Sequence, residues 1–172
     1  MSVTGSPQAT SSRRSLLRGR LRDTPVLRPP WTLDEARFTD ACTGCGDCIR
    51  GCPEQVLVRG AGGLPVFDPA QGECSFCGDC AAACRVGLFA PLDQAPWTLR
   101  AQVGDSCLAA NGVVCFSCRD ACGESAIRFA PARTVPVPEI LADRCTGCGA
   151  CVSGCPTAAI SLTAHHEESI DA

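Results

Sequence analysis

Sixteen of the 172 residues are cysteine, and they fall into four groups. Three groups read C-x2-C-x2-C-x3-C: Cys42, Cys45, Cys48 and Cys52; Cys74, Cys77, Cys80 and Cys84; Cys145, Cys148, Cys151 and Cys155. The fourth, Cys107, Cys115, Cys118 and Cys122, keeps the later spacing but stretches its first gap to seven residues. Thiolates in such runs hold [4Fe–4S] cubes. Cysteines at i, i+3 and i+6 on one tight loop can each reach a different iron of a single cube. The last cysteine of a run, carried just past the loop, points away and serves a neighbouring cluster. The expected cofactor is therefore four [4Fe–4S] clusters, with all sixteen cysteines as iron ligands.

Other uses of thiols fit less well. Cysteines three apart on one loop are poorly placed to bridge one another as disulfides. Zinc prefers two separated C-x2-C pairs, often with histidine, and the only histidines are His165 and His166, near the carboxyl end. Those two read as part of a solvated tail. For the Cys107 group a decayed site that closes no cluster is the alternative, although all four of its cysteines are present.

Composition supports units built around cofactors. Six Phe, two Trp, one Met and no Tyr cannot supply a large aromatic core, while seventeen Gly imply short, loop-rich units. In such units metal binding supplies much of the folding free energy. The net charge of −3 is unevenly spread. Residues 1–28 hold Arg13, Arg14, Arg18, Arg20, Arg22 and Arg28 against Asp23, whereas the remainder holds nine arginines and seventeen acids. Four oxidised clusters with their thiolates would take the total to about −11. An acidic body of this kind excludes nucleic acid as a partner and suits a basic protein surface.

Two stretches imitate targeting signals. Arg13 and Arg14 resemble a twin-arginine export signal, but residues 18–30 carry four arginines and three prolines where an apolar stretch is required. The expected location is the cytoplasm. Residues 145–164 are uncharged and long enough for a membrane span, yet they contain four ligand cysteines, three glycines and Pro156. A cluster loop followed by a strand explains them, so no membrane insertion is expected. No nucleophile motif, phosphate loop or nucleotide fingerprint is present, and no catalytic residue is assigned.

The first cysteines of the groups lie 32, 33 and 38 residues apart, which marks an internal repeat with a five-residue insertion after Cys107. Each unit reads as a ligand loop, a short helical turn around the last cysteine, and a β segment. The β segments are 56–58, 88–89, 126–129 and 159–162. Gly60–Gly63 turns the first back into Pro65–Phe67, and Arg133–Val137 continues similarly after Phe129. Residues 90–97 read as a linker. The expected fold is α+β: two tandem two-cluster modules with short helices and small antiparallel β hairpins, after a flexible basic N-terminal arm. The boundaries are 1–31 for the arm, 32–92 and 93–163 for the modules, and 164–172 for the tail. Trp31 and Trp97, flanked by prolines, are expected to anchor the arm and the linker by packing.

The cysteine runs resemble those of bacterial ferredoxins, in which the fourth cysteine crosses to the other cluster. That arrangement implies Cys42, Cys45, Cys48 and Cys84 for cluster one, and Cys74, Cys77, Cys80 and Cys52 for cluster two. It implies Cys107, Cys115, Cys118 and Cys155 for cluster three, and Cys145, Cys148, Cys151 and Cys122 for cluster four. A nested pairing, first unit with fourth and second with third, is the rival. Proline follows the last cysteine at Pro53 and Pro156 as in the bacterial pattern, but Arg85 and Gly123 stand at the other two sites.

More specific features are Ser12–Arg20, Arg28-Pro29-Pro30-Trp31, Arg59–Gly63, Glu73–Cys77, Gly104–Ala109 and Cys145–Cys151. With them the chain resembles, from about residue 11 to 162, the NapF family of ferredoxin-type accessory proteins of the periplasmic nitrate reductase system. The resemblance implies a cytoplasmic maturation factor that contacts the catalytic nitrate reductase subunit before export and assists its iron–sulfur assembly. A soluble ferredoxin-type electron carrier is the alternative.

Overall fold

The computed structural model describes residues 26–165. The basic arm up to residue 25, with its expected flexibility, and residues 166–172 of the tail lie outside the described residues.

Glycine sets the first level of structure. Gly46, Gly78 and Gly149 adopt left-handed backbone angles, with φ of 77°, 83° and 96°. Each turns the chain directly into a one-turn helix: α2 (Asp47–Arg50), α3 (Asp79–Ala82) and α5 (Ala150–Ser153). In the stretched third group Phe116 occupies this place with φ of −127°, and α4 (Ser117–Asp120) follows. These helices carry the third cysteine of each group rather than the last, as the sequence had suggested; the last cysteine sits just beyond each helix. An additional helix, α1 (Glu35–Ala41), precedes the first group; the Asp34 side chain caps it by accepting from the Arg37 N–H.

Past each last cysteine the chain reverses through another left-handed residue: Gln55, Gly87, Ser125 and Ala158, with φ of 55°, 72°, 50° and 48°. The turn forms whether proline, arginine or glycine follows the cysteine. Three of the four residues have a side chain and so bear local strain. Strands then follow. β1 (Leu57–Arg59) pairs antiparallel with β2 (Pro65–Phe67), in the register Leu57 to Phe67. β4 (Ile127–Phe129) pairs with β5 (Pro138–Ile140), Ile127 to Ile140. The expected return strand at 133–137 thus lies further on, at 138–140. Pro138 opens the strand, one of the few places a proline fits in a sheet. The hairpins join the first unit to the second and the third to the fourth.

Each module also closes its outer edge. In the second, β3 (Leu99–Val103) pairs over five residues with β6 (Ile160–Ala164). β3 was not anticipated, and β6 extends two residues past the expected segment. In the first module the same closure shrinks to a single bridge, Thr32 to Phe89.

Small residues let the helices of a module meet. A side chain at Gly51 would lie 3.5 Å from the Ala83 methyl, and one at Gly154 would lie 3.2 Å from that of Ala121. α2 therefore packs on α3 and α4 on α5, and the first unit pairs with the second and the third with the fourth. One apolar core runs through both modules, including Val56, Leu57, Phe67, Ala101, Ile127, Ile160 and Leu162.

Residues 26–31, assigned to the arm from sequence, are part of the body. Pro29, Pro30 and Trp31 are buried, and the Phe67 N–H donates to the Leu27 carbonyl at 2.8 Å. The Trp31 N–H donates to Pro96 O at 2.7 Å, and its indole N–H to Gln94 O at 2.9 Å. Trp31 thus fastens the root of the arm to the segment read as a linker, as a packing anchor.

Candidate iron–sulfur centres

The thiols gather around four cavities. Cys42, Cys45, Cys48 and Cys84 line the first. Cys52, Cys74, Cys77 and Cys80 line the second. Cys107, Cys115, Cys118 and Cys155 line the third, and Cys122, Cys145, Cys148 and Cys151 the fourth. Every cavity thus takes three cysteines from its own loop and one from the partner unit of the same module, the crossed arrangement rather than the nested one. Cys107 joins its set in spite of the stretched gap, because residues 108–114 fold into turns held by the Asn111 amide. That amide donates to the Asp105 and Cys107 carbonyls, both at 2.8 Å.

The donor sets suit a cubane cluster. All sixteen cysteines are free thiols. Among the described residues no three His, Cys, Asp or Glu side chains converge on a point where one metal ion could sit. The thiols surround a volume instead, which is what a cluster with four separate irons needs. Main-chain N–H groups aim at the sulfurs: Ala126 at Cys122 Sγ and Ala159 at Cys155 Sγ, both 3.3 Å, and Ala101 at Cys145 Sγ, 3.5 Å. Hydrogen bonds of this kind stabilise thiolate ligands and tune the metal they hold.

Electrostatics reinforce the point. Burial pushes the Cys74 thiol up to about 11, and neighbouring thiols Cys52, Cys77 and Cys148 add to the rise. Burial likewise raises Cys80 and Cys151 to about 12, again with repulsion from nearby cysteines. Cys48 and Cys118 move up for the same leading reason. Cys155 goes the other way. Desolvation is the largest single influence on it, but the Ala159 and Thr157 N–H groups and the Thr157 hydroxyl together outweigh it and lower its pKa. Desolvated sulfurs that neighbouring thiolates repel, as at Cys74, Cys80 and Cys151, require a cationic core to hold them as thiolates.

The cavities differ in size. The first encloses about 220 Å³ and the other three about 20 Å³ each. Phe38 and Phe89 form part of the first wall, with Arg85 and the half-exposed Val86 at its margin. Arginines also tie down the first loop. Arg59 donates to Gly44 O at 2.8 Å and Arg50 to Cys45 O at 3.1 Å. Neither the roominess of this site nor these arginine contacts could be read from cysteine spacing. His165 is placed beside the strands, its main-chain N–H donating to Thr98 O at 2.9 Å, while His166 lies outside the described residues.

The second and fourth loops touch across the module boundary. The Cys74 N–H donates to the Cys148 carbonyl at 2.8 Å. Trp97 spans the same junction: its indole N–H donates to Thr146 O at 2.8 Å. Its ring lies 5.0 Å from that of Phe67 and 5.5 Å from that of Phe76.

The 4Fe-4S dicluster domain family matches residues 41–88 and again residues 113–159. One matched stretch falls within each of the two modules, and Cys107 alone of the cysteines lies outside them. The chain carries two dicluster domains and, with sixteen cysteines in four sets, about four [4Fe–4S] clusters. Among the described residues no helix is long and apolar enough to cross a membrane. The "Ferredoxin-type protein NapF" of Escherichia coli K12 is 42% identical over 158 residues, covering 91% of this chain and 96% of that protein. The protein of the same name from Haemophilus influenzae is 40% identical over 137 residues, 79% of this chain and 78% of its own. More distant is the "Methylamine utilization ferredoxin-type protein MauM" of Methylorubrum extorquens, 32% identical over 149 residues, 76% of this chain and 68% of that protein. The chain belongs to the NapF family of ferredoxin-type iron–sulfur proteins.

Proposed function

We propose that this protein is a cytoplasmic maturation factor rather than an enzyme, holding four [4Fe–4S] clusters on its sixteen cysteines in the crossed sets given above. Its client would be the catalytic subunit of the periplasmic nitrate reductase, met as a precursor before export and helped to acquire its iron–sulfur cluster. Similarity to NapF proteins along nearly the whole chain carries this reading. The contrast among the cavities supports it. A cluster in the first site would be held less closely than the other three, as a cluster to be handed on should be. The arginines at 13, 14, 18 and 20 would contact the client through charge, so that binding weakens with salt.

The test is to load the protein anaerobically and mix it with the cluster-free catalytic precursor, then follow iron and sulfide between the two. Transfer of one cluster per chain is expected, as is weaker binding when Arg13, Arg14, Arg18 and Arg20 are replaced by Ala. The second reading, a soluble electron carrier, draws support from the contact between the second and fourth ligand loops. It prevails if all clusters stay in place and the reduced protein donates electrons to the mature enzyme at turnover rates.

A further inference from the structure

The module boundary is built from ligand loops. Gly149, next to Cys148, fits so closely there that a side chain on it would lie 2.9 Å from Pro69 and 3.1 Å from the tip of Phe67. Phe76 is the more telling residue. It stands between the first two cysteines of its group with φ of 53°, where the first and fourth groups have Gly44 and Gly147 at 66° and 73°. A bulky side chain at such an angle is strained and persists only where its surroundings hold it. The surroundings here are two tryptophans. The Phe76 ring meets Trp31 edge-on at 6.2 Å and Trp97 at 5.5 Å. Trp97 in turn grips the fourth loop through Thr146 O.

We infer that this junction is an electron-transfer bridge, and that the four centres form a single line in the order one, two, four, three. Tunnelling falls steeply with distance and is favoured along bonds. From Cys74 Sγ to Cys148 Sγ the path consists of the bonds of those two residues and the one hydrogen bond that joins them. Within each module the crossed cysteines already interleave the two centres. Among the described residues, no hydrogen bond links the first or third ligand loop to the opposite module. Centres one and three are therefore the ends of the line. Each transfer across the bridge moves one electron, oxidising one centre and reducing the other, with no atom or proton exchanged. A low-potential one-electron reductant outside the chain supplies the first electron. The inference rests on the cluster content of the dicluster domains and holds for a maturation factor and an electron carrier alike.

Phe76 and Trp97 are positioning residues in this scheme, and magnetic coupling reads their role directly. The intact holoprotein is reduced fully with dithionite and examined by electron paramagnetic resonance. A line of four predicts two centres with one magnetic neighbour and two centres with two. A wild-type spectrum reproduced by two isolated pairs would overturn the inference. Phe76→Gly restores the residue type that the first and fourth loops carry, so it should keep the iron while losing the inter-module splitting. Trp97→Ala should lose the same splitting and leave the coupling within modules untouched. A variant with full iron and an unchanged spectrum counts against the bridge. If both variants shed iron, the wild-type spectrum alone decides.

Discussion

The first module closes its outer edge with one bridge, Thr32 to Phe89, and the second with five paired residues between β3 and β6. The first compensates with other material: α1, the buried Pro29-Pro30-Trp31 segment, and the contact of Phe38 with Phe89 at 6.4 Å. The roomy cavity, however, lies in the first module, beneath a cysteine group of regular spacing. The stretched third group closes a cavity as small as its neighbours. Regular ligand spacing therefore says which atoms meet a cluster, and little about how tightly the rest of the chain surrounds it.

Removing all the iron should erase the difference between the modules, and this is the largest effect expected. Without a cationic core, Cys80 and Cys151 would have to be buried as neutral thiols in walls shaped for a cluster. Metal sites of this type supply folding free energy outright. The chelated protein is expected to lose its cooperative unfolding transition by circular dichroism across both modules. An apoprotein that keeps the β3–β6 ladder, judged by amide exchange, would show that the second module folds by packing alone.

Next in size is the order of cluster loss. Under limiting chelator or oxygen the iron count should fall from about sixteen to about twelve before any further loss. The first loss should come from the set containing Cys84. Changing Cys84 to Ser should remove that early phase, whereas changing Cys107 to Ser should leave it in place. Early loss from the third set would restore the view that the stretched motif is the weak one.

The cysteine groups, the repeat and the β1–β2 hairpin were legible because each is carried by residues close together in the chain. The ligand loops bring three thiols to one cavity with no help from distant sequence. β3 was missed for the opposite reason. Leu99, Ala101 and Val103 do alternate with Arg100 and Gln102, but five residues after a proline-rich segment are a weak signal. What makes them a strand is β6, far along the chain. β5 was misplaced because Val135 and Val137 suggested a strand, while the ladder pairs Phe129 with Pro138 instead. Phe76 is visible in the repeat as the residue that stands where the first and fourth loops have Gly44 and Gly147. What the sequence does not show is that its ring meets Trp31 and Trp97, which are distant in the chain.

The edge ladders should differ in stability accordingly. Leu162, buried in β6, should lose about 2–5 kcal/mol of holoprotein stability on replacement by Ala. At the single bridge, Thr32→Ala removes a hydroxyl that donates to Pro29 O at 2.7 Å and should cost about 0.5–1.5 kcal/mol. Thermal unfolding of the loaded proteins measures both. Equal losses would mean that the turn leading into the bridge steadies the first module as much as the packing of β6 steadies the second.

The smallest effect expected separates two ion pairs, one in each module. Glu35 accepts from Arg28 at 2.6 and 2.8 Å, and Glu139 from Arg128 at 2.8 and 2.9 Å. The carboxylates are similarly open, but the Arg28 side chain is 13% exposed and that of Arg128 60%. Arg28 also donates to Pro65 O at 2.9 Å and lies 5.3 Å from the centre of the Phe38 ring. Its charge is thus held in place before Glu35 is counted. The hydrogen bond from Arg28 lowers the Glu35 pKa below its ordinary 4.5, with a smaller charge contribution and some opposing desolvation. A carboxylate lowered on folding stabilises fully above its unfolded pKa, and that contribution fades as pH falls through the folded value. Stability of the wild type relative to Glu35→Gln should therefore be constant near neutrality and shrink below pH about 4.5. With the carboxylate largely in water, the difference should stay under about 1 kcal/mol and decline with salt. The Arg128 hydrogen bond lowers the Glu139 pKa in the same direction, but with both partners of that pair in water Glu139→Gln should show the smaller pH-dependent difference. A larger effect at Glu139 than at Glu35 would mean that the hairpin, and not the root of the arm, is where an ion pair steadies this protein.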